Sequence, residues 1–201
     1  QDVIDQYLKY VTTQSYGGFG NICVVFDGYT DEKSTKSHEQ IRRSSSAAAH
    51  VTISEELNVT MSSNSFLQND RNKTQLIKLI SKHFRGAGYR TVECTGDADI
   101  SIVKTALDLA TKEESVTVIA DDTDVLVLLL YHWKTGMGPI YFSAERTEKK
   151  IRTRKCWDIG NMVSATSPTP VPVPQHEYLL FAHAWSGCDT TSATYKKGES
   201  P

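Results

Sequence analysis

Seven aspartates stand in four short clusters along this chain, and their order and spacing suggest chemistry before anything else does. They are Asp27 in Val-Phe-Asp-Gly, Asp97 and Asp99 in Gly-Asp-Ala-Asp, Asp121, Asp122 and Asp124 in Ala-Asp-Asp-Thr-Asp, and Asp189 in Gly-Cys-Asp. Each cluster falls where an apolar run ends or a helical pattern begins. In a parallel α/β sheet those are the positions presented at the carboxyl edge of the strands. Carboxylates gathered there repel one another by about 4 kcal/mol per pair at ~4 Å and an effective dielectric of ~20. A hard divalent cation removes that penalty, because Mg²⁺ prefers oxygen ligands and keeps several of its waters. The expected site is therefore a metal centre, and the expected chemistry is metal-assisted hydrolysis of a phosphodiester.

Periodicity supplies the elements that would position these residues. Val3, Ile4, Tyr7, Leu8 and Val11 recur at helical spacing over residues 3–12, and Tyr16-Gly17-Gly18-Phe19-Gly20 breaks the pattern. Residues 21–26 read as a buried strand ending at Asp27-Gly28. Residues 30–72 are polar and carry the least core-forming pattern; a helix is plausible there from Lys36 to about Leu57. Helical periodicity returns over Thr74–Phe84, and Tyr89–Cys94 reads as a second strand. Asp97 and Asp99 open a helix running to Ala110, where the helix dipole favours anions. Val116–Ala120 is a third strand ending at Asp121, and Thr123–Trp133 is an apolar segment that fits helix or strand, with helix favoured. Pro139–Phe142 with Lys149–Arg154 suggests a β-hairpin, and residues 167–175 a polyproline spacer before a helix from His176 to Trp185. The strand–helix rhythm argues for a parallel sheet flanked by helices.

Bulk properties constrain function only loosely. The chain has 201 residues, enough for one domain with a sizeable core, and a formal net charge of −2. No global basic field announces a nucleic-acid partner, but the cations are unevenly distributed. Arg146, Lys149, Lys150, Arg152, Arg154 and Lys155 crowd one stretch; Lys33, Lys36, Arg42 and Arg43 form a second group, and Lys196 with Lys197 a third. An acidic centre beside separate basic stretches suits a metal nuclease, although any one basic cluster alone reads more simply as solvated surface. No apolar run reaches membrane-spanning length, and the start of the chain lacks a signal-peptide layout. Cys23, Cys94, Cys156 and Cys188 form no Cys-x-x-Cys pair, which argues against zinc, and the apolar flanks of Cys23 suggest a buried thiol in a reducing compartment.

Taken together, the acidic clusters resemble those of the flap endonuclease family, structure-specific nucleases with a PIN-like core, over nearly the whole chain. Val25-Phe26-Asp27-Gly28 is similar to the family's metal-binding strand end, and Gly96-Asp97-Ala98-Asp99 to its Glu-Ala-Glu-Ala motif with both glutamates shortened. Asp121-Asp122-Thr123-Asp124 resembles its Glu-Asp-x-Asp motif, and Gly187-Cys188-Asp189 the Gly-Ser-Asp before its helix-hairpin-helix. The resemblance implies a single PIN-like α/β domain over 1–201, with an arch-like helical insertion at 30–72, a Pro-rich spacer at 167–175 and a partial helix-hairpin-helix at 176–201.

It also implies two Mg²⁺ ions, replaceable by Mn²⁺, bound by Asp97, Asp99 and Asp122 on one side and by Asp124 and Asp189 on the other. Asp27 would orient bound water. Lys36, Arg42 and Arg43 would meet the scissile phosphate, the arginines through their planar fork. Lys149, Lys150, Arg152, Arg154, Lys196 and Lys197 would contact the nucleic acid. The substrate implied is DNA at a single-strand/double-strand junction, with RNA as a possibility. The setting implied is intracellular and nuclear, in DNA repair. The family carries a further aspartate on an upstream strand and a complete hairpin downstream, so the chain is expected to be incomplete at both ends.

Two other readings compete. One is a nuclease-like fold retained as a catalytically inactive nucleic-acid-binding or protein-interaction module, as in asteroid-like relatives of the family. The other is an Asp-x-Asp transferase acting on a metal-bound nucleotide-sugar, which leaves Asp27, the Gly-Cys-Asp turn and the basic hairpin without a role. Among the remaining residues, His83 and His183 are expected in the core or its rim, and Asp121 as the cap of a helix starting at Asp122.

Overall fold

Several helices of this chain begin where a side-chain oxygen folds back onto otherwise unpaired backbone N–H groups. Asn69 Oδ1 accepts from the N–H groups of Arg71 and Asn72 at 3.0 and 3.3 Å. Asp122 Oδ1 accepts from Asp124 N at 2.9 Å, and Asp158 Oδ1 from Asn161 N at 2.9 Å. The computed structural model describes residues 2–14, 21–28, 49–55, 60–110, 115–148, 151–165 and 175–187. In chain order the elements are α1 (Asp2–Gln14), β1 (Cys23–Phe26), α2 (Ser63–Leu67), α3 (Asp70–Gly86), β2 (Arg90–Glu93) and α4 (Ala98–Ala110). They continue with β3 (Val116–Ile119), α5 (Thr123–His132), β4 (Ile140–Glu148), β5 (Ile151–Asp158), α6 (Ile159–Ser164) and α7 (Gln175–Ser186). The architecture is mixed α/β, with parallel strands flanked by helices.

The chain divides into two compact units, residues 1–98 and 99–201. In the first, β1 and β2 pair in parallel, with Cys23 opposite Arg90 and Phe26 opposite Glu93. The apolar stripes of α1 and α3 bury Ile4, Ile80 and Phe84, and the Phe84 ring meets Phe26 edge-on at 6.2 Å. Burying each such side chain is worth about 1.5–3 kcal/mol. A polar lock fixes α3 to β2: the fully buried Ser81 hydroxyl donates to Glu93 Oε1 at 2.7 Å, and Arg85 reaches the same oxygen at 2.6 Å.

Residues 49–55 run as a non-helical strap along α3, contrary to the helix expected to extend to Leu57. The reason lies in two amide side chains one helical turn apart. Asn72 Oδ1 accepts from Val51 N at 2.9 Å, and its Nδ2 donates to the carbonyls of Ala49 and Phe66 at 3.0 and 3.2 Å. Gln75 accepts from Ile53 N at 3.1 Å and donates to the Val51 carbonyl at 3.1 Å. These bonds satisfy the strap's backbone groups from outside, so the segment gains nothing by coiling on itself. Glu55 closes the strap on Lys82 at 3.0 Å, with His83 Nε2 at 3.4 Å. Within the polar stretch expected to be arch-like, α2 and the start of α3 are ordinary capped helices.

In the second unit, β3 pairs with β4 in parallel and β4 with β5 antiparallel. The hairpin expected from sequence is present and longer than its apolar residues suggested, reaching Glu148 and resuming at Ile151. Val118, Ile140 and Phe142 from the sheet pack with Val103 and Ala106 of α4, Val125 and Leu129 of α5 and Ile159 of α6. Helix α6 was not expected; Asp158 both ends β5 and caps it. Among the described residues the strands fall into two sheets rather than the one parallel sheet expected.

Candidate functional site: two acidic strand ends

Pairing between β1 and β2 continues beyond the strands. Cys94 N donates to Phe26 O at 3.1 Å, and Gly28 N donates to Gly96 O at 2.8 Å. Asp27 lies between those two bonds, and Asp97 directly follows Gly96. The carboxyl ends of both strands therefore bring Asp27 and Asp97 to one edge. Gly28 makes this possible. A Cβ at that position would stand 2.2 Å from the Cys94 carbonyl oxygen and 2.6 Å from Gly96 N. Asp99, half-buried, lies in the first turn of α4, where the backbone N–H groups favour negative charge.

The second acidic edge follows β3. Ala120 N donates to Ser143 O at 3.1 Å, which carries the pairing past the strand and leaves Asp121 exposed at its end. Asp122 adopts extended backbone angles and caps α5; the cap is Asp122 rather than Asp121, and the helix starts at Thr123. Asp124 sits in the first helical turn, and its Oδ1 accepts at 2.8 Å from His183 Nε2 on α7. Both of those side chains are about one-fifth exposed. The sequence placed His183 at a core rim. Its partner lies 59 residues upstream, and no periodicity signals a contact of that kind.

Arg154 is half-buried on β5, and the backbone register of the hairpin pairs it with Glu145 and pairs Arg152 with Thr147. Lys36, Arg42, Arg43, Lys149, Lys150, Asp189, Lys196 and Lys197 lie outside the described residues. Cys23 is half-buried; burial pushes its thiol pKa up, and the neighbouring Arg90 only partly offsets this, so it is a poor nucleophile. An apolar groove of about 290 Å³ lies along α4 and α5, lined by Ile100, Val103, Lys104, Leu107, Asp108, Leu128 and His132. None of the acidic motif residues lines it.

Oxygen donors of this kind fit a hard divalent cation. Asp122 and Asp124 each use Oδ1 in an internal hydrogen bond, an arrangement that fixes a carboxylate while its other oxygen can serve as a single-point ligand. Among the described residues, no group of three or more His, Cys, Asp or Glu side chains is placed to hold a metal ion. No helix among the described residues is long and apolar enough to cross a membrane. Comparison with protein-family models, with curated proteins and with solved structures finds no match to this chain.

Proposed function

We propose that this chain is the core of a metal-dependent, structure-specific nuclease of the flap endonuclease type, with a PIN-like domain, acting on phosphodiester bonds of DNA at single-strand/double-strand junctions. The observation that carries the reading is the placement of the acidic motifs. Two strands in parallel pairs, β1 and β3, each end in a motif aspartate, with backbone pairing continued past the strand to hold it. Within each unit, pairing and capping fix where the motif aspartates stand, and an oxygen-rich strand end is the kind of position a hard divalent cation occupies.

Asp97, Asp99, Asp122, Asp124 and Asp189 are the proposed ligands, with Asp27 orienting water at the β1 edge. Two bound Mg²⁺ ions, or Mn²⁺ in their place, would supply Lewis-acid activation of water and stabilisation of the leaving oxygen. The carboxylates act as scaffolding rather than as general acid or base. Lys36, Arg42 and Arg43 hold the scissile phosphate, and Lys149, Lys150, Arg152, Arg154, Lys196 and Lys197 track the backbone of the nucleic acid. A nuclear role in DNA repair follows from that substrate.

The test is cleavage of a labelled 5′-flap DNA in Mg²⁺ or Mn²⁺ by the wild-type chain and by Asp122→Asn. Asparagine caps helices as well as aspartate does, so α5 keeps its start while a ligand charge is lost. The expected loss is roughly 10²- to 10³-fold, typical of removing one preorganised electrostatic contributor. Equal rates would end the proposal. Junction binding that persists in EDTA, without cleavage by either protein, would instead identify an inactive binding module.

A further inference from the structure

We propose that the outer edge of the strap over residues 49–55 is a site of β-strand addition, and that its occupant is the same edge of a second copy of this chain. The strap and α3 both belong to the first unit. Hydrogen bonds from the strap to α3 use every other residue. Asn72 and Gln75 accept from Val51 N and Ile53 N at 2.9 and 3.1 Å, and the same two amides donate to the carbonyls of Ala49 and Val51 at 3.0 and 3.1 Å. A two-residue repeat, with one residue turning both its N–H and its C=O to the same side, is the pattern of a strand in an antiparallel ladder. Asn72 and Gln75 thus stand where a neighbouring strand would stand. The N–H and C=O of His50 and Thr52, and the N–H of Ser54, are left for the opposite side. Among the described residues no hydrogen bond uses these groups, and all three residues are exposed.

Strand edges that must not pair are ordinarily guarded by Lys, by Pro or by a bulge. The outward residues here are His50, Thr52 and Ser54, none of which is such a guard, and threonine is among the residues that favour strands. The edge is also complementary to itself, which is what a two-fold interface requires. An axis through Thr52 sets Thr52 of one copy opposite Thr52 of the other, where the two exchange both backbone bonds. In the same register the Ser54 N–H meets the His50 carbonyl, and Val51 stands opposite Ile53, so β-branched residues meet β-branched residues. No like charges oppose one another: Glu55, already held by Lys82 at 3.0 Å, falls opposite Ala49. Two short strands bury little surface, so the association is weak and reversible.

Charge placed at Thr52 tests the surface and the occupant together. Sedimentation of the full chain is followed over roughly 10 µM to 1 mM, a range suited to so small an interface. The samples are wild type, Thr52→Lys, Thr52→Glu and an equimolar mixture of the two variants. Neither substitution removes a bond to α3, so both variants should melt as wild type does at low concentration. The wild type should associate reversibly. Each variant alone should associate roughly 5-fold more weakly or worse, because like charges then stand directly opposite one another. The mixture should recover wild-type association or exceed it. A wild type that stays monomeric throughout overturns the inference. Variants that associate as the wild type does also overturn it, since the contact would then lie elsewhere. So does a mixture no tighter than its components, which would mean that Thr52 does not meet Thr52.

Discussion

Gly28→Ala should separate the β1 edge from the β2 edge, and its cost can be worked from the geometry. The new Cβ would stand 2.2 Å from Cys94 O, with Cys94 C and Gly96 N both at 2.6 Å. All three are backbone atoms, and real Cβ contacts essentially never fall below 3.0 Å. No side-chain rotation relieves the clash, so one strand end must retreat by most of an ångström. That retreat breaks the 2.8 Å bond from Gly28 N to Gly96 O, for about 0.5–1.5 kcal/mol. Overpacking adds about 1–3 kcal/mol, so the sum is about 1.5–4.5 kcal/mol. For a chain of this size the melting temperature falls by roughly 2–4 °C for each kcal/mol. The assay is urea denaturation of wild type and variant, with Gly86→Ala as control. A Cβ at Gly86 meets nothing within 4 Å, and alanine near the end of α3 should be neutral or stabilise by up to about 1 kcal/mol. If Gly28→Ala is as stable as wild type, the close approach of the two strand ends is not what holds Asp27 beside Asp97.

Two further outcomes follow from the strap. Asn72→Ala strands the Val51 N–H, while the Phe66 carbonyl keeps the Asn69 N–H at 3.4 Å and the exposed Ala49 carbonyl can turn to water. At about 1–3 kcal/mol for a stranded group, the loss should be about 1–3 kcal/mol, larger than for Gln75→Ala, with faster hydrogen exchange at Val51; equal losses in the two variants would refute the ladder. Glu55 is held below the ordinary carboxylate pKa, first by its hydrogen bond and charge interaction with Lys82 and then by His83. A depressed folded-state value means the contribution is complete above the unfolded pKa and is lost as pH falls through the folded one. The Ile53 amide resonance should therefore shift in an acid titration at a midpoint below the ordinary glutamate range, and Glu55→Gln should abolish that step; a midpoint at the ordinary value would count against the Lys82 contact.

Where local pattern and tertiary packing agree, the sequence was readable. The stripe over Thr74–Phe84 became the centre of α3, and the runs ending at Asp27 and Asp121 became β1 and β3. Local reading failed where one segment's hydrogen bonds are supplied by another. Residues 49–55 carry three β-branched side chains in a row, Val51, Thr52 and Ile53, which suit extended backbone, and Asn72 and Gln75 take their backbone groups and hold the strap. His183 looked like a rim histidine for the same reason, because its partner is set by how α7 meets α5 and not by its neighbours in sequence.

Asp122 shows why the candidate site was only half legible. An aspartate before an apolar helix is a good N-cap for the same reason it is a good ligand: a compact anionic oxygen close to the chain. The structure uses one oxygen of Asp122 as the cap, and that use neither requires nor forbids the other oxygen to bind a cation. Residue type alone therefore cannot separate the two roles. A constraint of another kind acts at the β1 edge, where a strand end needs no glycine merely to carry an aspartate. It needs one when the neighbouring backbone must come within 2.2 Å of where a Cβ would stand, as it does where Asp27 and Asp97 are brought to the same edge. The meeting of Asp27 and Asp97 thus depends less on the acids themselves than on the glycine beside them.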